Sequence, residues 1–428
     1  MRAIIRIAEE QNFSAYVVGG FIRDVLLDIP SLDLDIVIEG SAIRMGELLS
    51  DRFGGKVTVH RRFHTAVWHI ADGRKEVATN LTEDSDRRLA ANGLPPFLDL
   101  ITARQESYSR PGALPEVRRA TIKEDLFRRD FTVNALAARL HPRYGEFLDL
   151  WGGYEDLRRK QLRTLHGHSF SDDPTRILRI LRLTGRLGFQ IEGKTLRQLK
   201  RSLGDLKHVS PQRIYNDLFL ILQEEKRVTI LREMQRLGVL ENIHPNLEFE
   251  ATHRRSLARM PTRVPANWGL EPIQLAELGF ILWFIHMDYA TANRLVAHFG
   301  MPAPIRKAIL DAISLMGDQK LQNLSSSELT SRLDSLSPLS IYAFFLHSNG
   351  TPLAKRVAKY NSSLRHIQPY TDGKTLQRMG LSPGPVYSRI LKRLRDAWLD
   401  GEIKSRREET KFLICLLEEY KKLGLSFK

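Results

Sequence analysis

The stretch LDLDIVIEG, residues 32–40, has the apolar pattern of a buried strand but carries two aspartates, Asp33 and Asp35. Side chains alternate along a strand, so we expect both carboxylates on one face, leaving the backbone about 6 to 7 Å apart. Two unpaired carboxylates at that spacing repel each other and raise a pKa, and a divalent cation bound between them removes that cost. Mg²⁺ is the expected ion because it takes oxygen ligands and completes its shell with water and phosphates. The alternative is an exposed strand face with two solvated aspartates.

The preceding stretch, AYVVGGFIRDVLL at residues 15–27, predicts a strand that turns at Gly19 and Gly20 into a helix. Paired glycines permit positive φ and close approach of a ligand, and the helix start offers free N–H groups to a phosphate. Arg23, about one turn into the helix, can add a bidentate contact to that phosphate. The same pattern also fits an ordinary strand-to-helix turn with a surface Arg–Asp pair. The chain has neither a GxxxxGK(S/T) loop nor a GxGxxG motif, so the common nucleotide-binding folds gain no support.

Composition predicts a globular protein with a polyanionic partner. The 428 residues are 42% hydrophobic and 27% charged, and the formal net charge is +15. This excess of basic residues favours nucleic acid, although a solvated basic surface has the same composition. The longest apolar runs, such as FILWFI at 280–285, are far shorter than the roughly 20 residues of a membrane span. With one cysteine, Cys415, and no secretory signal pattern at the N-terminus, we expect a cytoplasmic location.

The order of strand and helix patterns predicts an α+β N-terminal region followed by an all-α remainder. Strand-like runs alternate with helical segments over the first 150 residues, which indicates a small mixed sheet with helices. From about residue 155 onward helical periodicity dominates, interrupted by Pro- and Gly-rich breakers. We expect four domains, with the boundaries 1–150, 151–255, 256–350 and 351–428.

The segment DDPTRILRILRLTGRLGF at 172–189 predicts an amphipathic helix. Asp172 or Asp173 can cap it, and Pro174 suits its first turn. The stripe expected to face a core comprises Ile177, Ile180, Leu181, Thr184, Leu187 and Gly188. The residues off that stripe are Asp173, Arg176, Arg179, Arg182 and Arg186. Because a carboxylate accepts from an exocyclic amino group and a guanidinium donates to a ring acceptor, an Asp–Arg pair can read the edge of C or A. A salt-bridged surface helix is the alternative.

These motifs, together with LFRRDFTVNALA at 126–137, resemble in identity and order those of the class II tRNA nucleotidyltransferases. That superfamily contains the CCA-adding enzymes, the separate CC-adding and A-adding enzymes, and bacterial poly(A) polymerases. The resemblance implies a nucleotidyltransferase head, followed by helical neck, body and tail domains that grip tRNA. It also implies that Asp33 and Asp35 are catalytic Mg²⁺ ligands. The residues implied to bind the nucleotide are Gly19, Gly20 and Arg23 at the triphosphate, Arg129, Asp130 and Asn134 at the ribose, and Asp173, Arg176, Arg179 and Arg182 on the neck helix. The family's EDxxR pattern has Asp172 in place of its Glu, which leaves one flanking contact in doubt.

The implied reaction is attack by the 3′-hydroxyl of a tRNA acceptor end on the α-phosphate of ATP or CTP, with release of pyrophosphate. No obligate protein partner is implied. The form VHRRFHTAVWHI at 59–70 favours tRNA tailing over poly(A) synthesis, and addition of CCA, of CC or of A alone all remain open. A non-catalytic RNA-binding protein is a further alternative, against which the intact Asp33 and Asp35 pair argues.

Two details of the predicted site also have purely structural explanations. Asp99, in PFLDLITARQE, fits either a third carboxylate near the metal or a structural aspartate. Arg128, Arg129 and Asp130 could simply pair with one another ahead of a helix.

Overall fold

The computed structural model describes residues 1–31, 33–70, 97–263, 265–271 and 274–422. The chain divides into two compact units: Met1–Asp217 with Glu233–Pro245, and Leu218–Arg232 with Asn246–Lys428. The finer division into four domains stays a prediction. Within the described residues, no helix is both long enough and apolar enough to cross a membrane.

The first unit is built on a seven-stranded mixed sheet with the strand order β3-β4-β5-β2-β1-β8-β9. The strands in the described part of the chain are β1 (Ser14–Val18), β2 (Asp35–Glu39), β3 (Lys56–His60), β4 (Thr65–His69), β5 (Phe97–Thr102), β6 (Arg104–Ser107), β7 (Glu116–Arg119), β8 (Leu136–His141), β9 (Phe147–Asp149), β10 (Gln161–Leu162) and β11 (Gln190–Ile191). Within the sheet, β2 and β5 run parallel and every other neighbouring pair runs antiparallel. The predicted α+β head with a small mixed sheet is confirmed. Two further pairs, β6–β7 and β10–β11, stand outside the large sheet.

Helices cover the sheet and make up most of the remaining chain. They are α1 (Arg2–Glu10), α2 (Gly20–Leu26), α3 (Ala42–Phe53), α4 (Ile122–Phe127), α5 (Gly153–Arg158), α6 (Ser169–Asp172), α7 (Arg176–Leu187), α8 (Gly193–Arg201), α9 (Pro211–Gln223), α10 (Arg227–Arg236), α11 (Val239–Ile243), α12 (Ala251–Ala258), α13 (Leu275–Phe284), α14 (Tyr289–His298), α15 (Ala303–Gly317), α16 (Ser326–Asp334), α17 (Pro338–His347), α18 (Pro352–Ser362), α19 (Gly373–Arg378), α20 (Pro385–Leu399) and α21 (Arg406–Lys422). The expectation of a helical remainder is therefore confirmed.

The central strands are apolar because both faces of the sheet are covered. Tyr16 and Val18 of β1 and Val37 of β2 pack in one buried cluster with Ile122 and Leu126 of α4. Burial of this kind contributes roughly 25 cal/mol per Å² of apolar surface removed from water. The sheet is thus a rigid base for the residues at the ends of its strands.

The chain around RRDFTVNALA differs from the expectation of a following helix. Residues Thr132–Asn134 form a single 3-10 turn, and β8 then begins at Leu136. This segment becomes a strand because it hydrogen-bonds between β1 and β9, and such tertiary pairing overrides local helical preference.

The predicted neck helix exists as α7 but begins later than expected. Its N-cap is Thr175, which makes no side-chain capping bond, whereas Asp172 ends the short helix α6 and Pro174 lies in the intervening turn. Asp172 and Asp173 are therefore not its caps. Burial on α7 is also broader than one stripe.

Three of the six residues of the predicted stripe are buried, whereas Thr184 and Leu187 are half-buried and Gly188 is exposed. Ile177, Ile180 and Leu181 are buried as expected, and Leu178 and Leu183 are buried with them. Gly188 is instead the exposed left-handed C-cap of α7.

The second unit is helical throughout its described residues. Its aromatic core includes Phe280, Trp283 and Phe284 of α13, all with no exposed surface. The Trp283 indole N–H donates to the backbone oxygen of Glu248 at 2.7 Å, which satisfies the buried polar atom. A separate cluster near the C-terminus joins α19, α20 and α21.

Candidate active site

Three aspartates converge at the start of β2. The strand begins at Asp35, and Asp33 lies in the segment before it rather than inside the strand as expected. Because β2 and β5 are parallel and in register, Asp35 lies opposite Asp99. One ligand oxygen from each of Asp33, Asp35 and Asp99 lies within 4.8 Å of the other two. The predicted convergence of two carboxylates is thus present, and Asp99 joins them as a third.

The electrostatics of these carboxylates favour a bound cation. Burial raises the pKa of Asp35 to about 6; the Arg129 guanidinium opposes this rise, and the charges of Asp33 and Asp99 add to it. Burial also raises the pKa of Asp99, and Asp33 again adds to the rise. A divalent cation removes this repulsion, and three carboxylate oxygens suit a hard cation of the Mg²⁺ type. The donor set therefore fits a divalent metal ion.

The glycine turn lies beside these aspartates because of strand pairing. Val18, the last residue of β1, pairs with Asp35, so Gly19 follows directly next to the carboxylates. Gly19 has φ +75°, and a Cβ there would lie 2.5 Å from a nitrogen of the Arg129 guanidinium, so only glycine fits. Its own N–H donates to the Leu136 carbonyl at 3.0 Å and is not free for a phosphate.

Arg23 is buried rather than on the surface. It is 4% exposed and pairs with the carboxylate of Asp24 at 2.6 Å. A second guanidinium nitrogen donates to the Asn134 side-chain oxygen at 2.6 Å. The alternative of a surface Arg–Asp pair is wrong. Arg23 orients Asn134, and its expected contact with a phosphate stays a prediction.

The residues of the RRD motif have partners elsewhere, so the expectation that they pair with one another is wrong. Arg128 and Arg129 both bond the buried carboxylate of Asp125, one turn earlier. Asp130 forms an ion pair with Arg179 of α7 at 2.8 Å and accepts from the Asn134 amide at 2.8 Å.

The ionisation of Asp130 follows from these contacts. Burial acts to raise the pKa of Asp130, but Arg179, Asn134 and Arg176 together hold it below its ordinary value. Asp130 is therefore an anion that connects the head to α7.

Asp173 is held in a single orientation before α7. Its Oδ1 accepts from the Thr175 hydroxyl at 2.7 Å and from a guanidinium nitrogen of Arg213, in α9, at 2.7 Å. The Thr175 backbone N–H also donates to this oxygen, at 3.2 Å. We therefore expect the other carboxylate oxygen, Oδ2, to be the one that meets a ligand.

Arg176 is 4% exposed and is also constrained. It donates to the Ser169 hydroxyl at 2.6 Å and to the Arg128 carbonyl at 2.7 Å. Its Nε is buried without a hydrogen-bond partner, which costs free energy unless a ligand accepts from it.

One cavity of about 470 Å³ joins these groups. The predicted site residues that line it are Gly20, Arg23, Asp33, Asp35, Arg129, Asp130, Asn134, Asp173, Arg176, Arg179 and Arg182. Gly19 does not line the cavity, whereas Arg186 does. Arginines outnumber carboxylates around the cavity, which suits a polyphosphate.

Several residues in or next to this site were not predicted from the sequence. The cavity is also lined by Arg104, Glu106 and Tyr108, which lie in or directly after β6. The charged sequence of this segment did not predict a strand. Arg213 contacts Asp173 from 40 residues away, and no local pattern signals such a contact. Asp217, one turn beyond Arg213, is a carboxyl whose pKa burial raises to about 6 against the opposing charges of Arg179 and Arg182.

Comparison with protein families gives two matches in the same chain. Residues 15–163 match the poly A polymerase head domain, and residues 188–250 match the probable RNA and SrmB-binding site of polymerase A. These ranges contain the aspartate site and part of the helical region that follows α7.

Similar proteins share most of the chain. The A-adding tRNA nucleotidyltransferase of Halalkalibacterium halodurans is 30% identical over 96% of this chain and 91% of its own length. The A-adding tRNA nucleotidyltransferase of Geobacter sulfurreducens is 30% identical over 98% of this chain, which spans only 47% of that relative. The Thermotoga maritima CCA-adding enzyme, solved in complex with tRNA, superimposes with a TM-score of 0.70 at 26% identity and covers 97% of this chain and 94% of its own.

Proposed function

This chain belongs to the family of tRNA nucleotidyltransferases with a poly A polymerase head. We propose that it adds nucleotides to the 3′ end of tRNA and that ATP is its main nucleotide substrate. The observation that carries the proposal is the meeting, in one cavity, of the paired aspartates, the glycine turn and the Asp173–Arg176 pair. Each of these groups suits a different part of a nucleoside triphosphate.

The proposed reaction joins the RNA 3′-oxygen to the α-phosphorus and breaks the bond from that phosphorus to the pyrophosphate oxygen. Asp33, Asp35 and Asp99 would hold Mg²⁺, which supplies Lewis-acid stabilisation of the attacking and leaving oxygens when bound. Arg129, against Gly19, places positive charge beside the turn where the triphosphate is expected. The chain needs no side-chain nucleophile.

The ribose and the base are assigned to the residues that link the head to α7. Asn134 lies between Arg23 and Asp130, so its side chain is fixed for contact with the ribose. Asp173 Oδ2 would accept from the exocyclic amino group of A or C. The Arg176 guanidinium, which lines the cavity, would donate to the adjacent ring nitrogen.

We propose that the chain adds A alone, because the two A-adding relatives described above resemble it over most of its length. Addition of CC or of complete CCA would use the same residues and differs only in which nucleotides are admitted. We place the reaction in the cytoplasm, where a lone cysteine such as Cys415 stays reduced.

The test incubates the purified chain with Mg²⁺, labelled ATP or CTP, and three tRNAs that end before C74, before C75 or before A76. We expect one AMP on the tRNA ending in C75 and no CMP on any substrate. Incorporation of CMP would show CC or CCA addition, and long A tracts on unrelated RNA would show poly(A) synthesis. Transfer to none of these RNAs would overturn the proposal and leave an RNA-binding protein.

A further inference from the structure

The residues assigned to the base would contact only its edge. In that assignment Asp173 and Arg176 meet hydrogen-bonding groups at the rim of a purine or pyrimidine, and neither covers its flat face. Of the described residues that line the cavity, Tyr108 alone has an aromatic ring. The other apolar side chains of the wall, Ile101, Pro115 and Leu183, are aliphatic.

Tyr108 is held close to the edge-reading pair. It follows directly after β6, and both Arg176 and Asp173 lie near enough to influence the pKa of its hydroxyl, which burial raises above its ordinary value. The phenol is therefore neutral. Its ring is partly exposed and borders the cavity.

The orientation of Tyr108 is fixed by a chain of hydrogen bonds. Its hydroxyl donates to Glu106 at 2.9 Å, and the other oxygen of Glu106 accepts from Arg128 at 2.8 Å. The backbone carbonyl of Arg128 in turn accepts from Arg176 at 2.7 Å. The same network that immobilises Arg176 thus immobilises Tyr108, so ring and guanidinium keep a constant spacing.

We propose that Tyr108 is the stacking partner for the base of the incoming nucleotide. The inference rests on the proposed function in requiring that a nucleoside triphosphate occupies the cavity with its base beside Asp173 and Arg176. Stacking depends on the face of the base and not on its edge, so Tyr108 contributes affinity for ATP and CTP alike, whereas Asp173 and Arg176 discriminate between bases. A purely structural role, in which the hydroxyl merely satisfies Glu106, makes different predictions.

The experiment measures equilibrium binding by calorimetry, without RNA, for three ligands: ATP, CTP and ribose 5-triphosphate, which has no base. Tyr108→Leu is expected to weaken ATP and CTP binding about 5- to 150-fold, the effect of removing one aromatic ring from a base. Ribose 5-triphosphate should bind the variant as it binds the unmodified chain. Tyr108→Phe, which keeps the ring and loses only the hydrogen bond that orients it, should weaken ATP binding far less than Tyr108→Leu does.

Tyr144→Ala is the matched control because Tyr144 is 73% exposed in the turn between β8 and β9, outside the cavity lining. It should leave all three affinities unchanged. The inference is overturned if Tyr108→Phe weakens ATP binding as much as Tyr108→Leu does, or if Tyr108→Leu weakens ribose 5-triphosphate equally. It is also overturned if the unmodified chain binds no nucleoside triphosphate.

Failure of the proposed function gives a different result from failure of the stacking assignment. If the chain binds ATP through Tyr108 but transfers no nucleotide to any tRNA, the transferase assignment is wrong and the stacking assignment stands. If the chain transfers AMP but Tyr108→Leu binds ATP normally, the stacking assignment is wrong and the transferase assignment stands.

Discussion

Arg213 donates a hydrogen bond to Asp173 at 2.7 Å, across 40 residues of sequence. A second nitrogen of the same guanidinium donates to the Gly112 carbonyl at 3.1 Å. Arg213 therefore joins the carboxylate expected to read the base to the segment that follows Tyr108. Because it holds Oδ1 of Asp173, we expect Arg213 to be a positioning residue for nucleotide choice.

Replacing Arg213 by Gln should relax nucleotide selectivity. A hydrogen bond to a charged group contributes about 1.5–3 kcal/mol, so we expect the ratio of kcat/KM for ATP over GTP to fall about tenfold or more. Arg213→Lys, which keeps the charge, should restore part of the ratio. The control is Gln212→Ala, at the exposed neighbouring position on α9. Equal loss of activity with every nucleotide would indicate damage to the fold and contradict the positioning role.

Asp173→Ala should relax the choice among nucleotides more than it weakens binding of the triphosphate. The physical reason is that the carboxylate is expected to contact the base edge, while the arginines of the cavity are expected to hold the phosphates. Misincorporation of UMP and GMP, measured beside the KD for ATP, checks this. Asp172→Ala is the matched control, since Asp172 ends the preceding helix α6. Unchanged selectivity in Asp173→Ala would refute the base-reading assignment.

Asp35→Asn should lower transfer about 100-fold or more, the range for losing one electrostatic contact to a transition state, while tRNA affinity stays nearly intact. Asp99→Asn should have a smaller effect in the same direction, because Asp99 is paired with Asp35 across the strands. Binding of Mn²⁺, followed by electron paramagnetic resonance, gives a readout independent of activity. Asp51→Asn, at an exposed position in α3, is the control. Normal Mn²⁺ binding by Asp35→Asn would remove the metal assignment.

His253 should make the second unit sensitive to acid. Burial, with a smaller effect of His286, lowers the pKa of His253 to about 4 from 6.5. Its Nδ1 accepts the backbone N–H of Glu250 at 2.8 Å, so the ring must be neutral there. Stability from this group is complete above about pH 6.5 and falls as the pH drops toward 4, by up to about 3 kcal/mol, since the unfolded chain then binds a proton that the folded chain does not.

The variant His253→Gln distinguishes the titration of His253 from other causes of destabilisation at low pH. Glutamine at the third position of a helix can accept the same capping bond and does not titrate. We expect the urea midpoint of the variant to change less between pH 7.5 and pH 5 than that of the unmodified chain. His208→Gln, at an exposed position, should leave the pH dependence as it is. Identical pH slopes for His253→Gln and the unmodified chain would rule out His253 as the cause.

Local chemistry explains why much of the site was predictable. The glycine turn and the paired aspartates lie within about twenty residues, and their residue types suit phosphate and cation whatever the rest of the chain does. Apolar runs likewise predicted β1 and β2. By contrast, β8 and the charged strands β6 and β7 depend on hydrogen-bond partners rather than on their own composition.

The sequence by itself determined which chemical groups the site contains: two neighbouring carboxylates, a paired-glycine turn and an Asp–Arg pair ahead of a helix. The tertiary structure alone decided which groups meet. The parallel register of β2 and β5 brings Asp99 opposite Asp35, the antiparallel register of β1 and β2 puts Gly19 beside them, and α9 supplies Arg213 to Asp173. Gly19 and Asp35 are close in the sequence, but the contacts of Asp99 and Arg213 join residues far apart in the chain. Each of these two depends on closing a long loop whose entropic cost is offset only by packing of the whole unit.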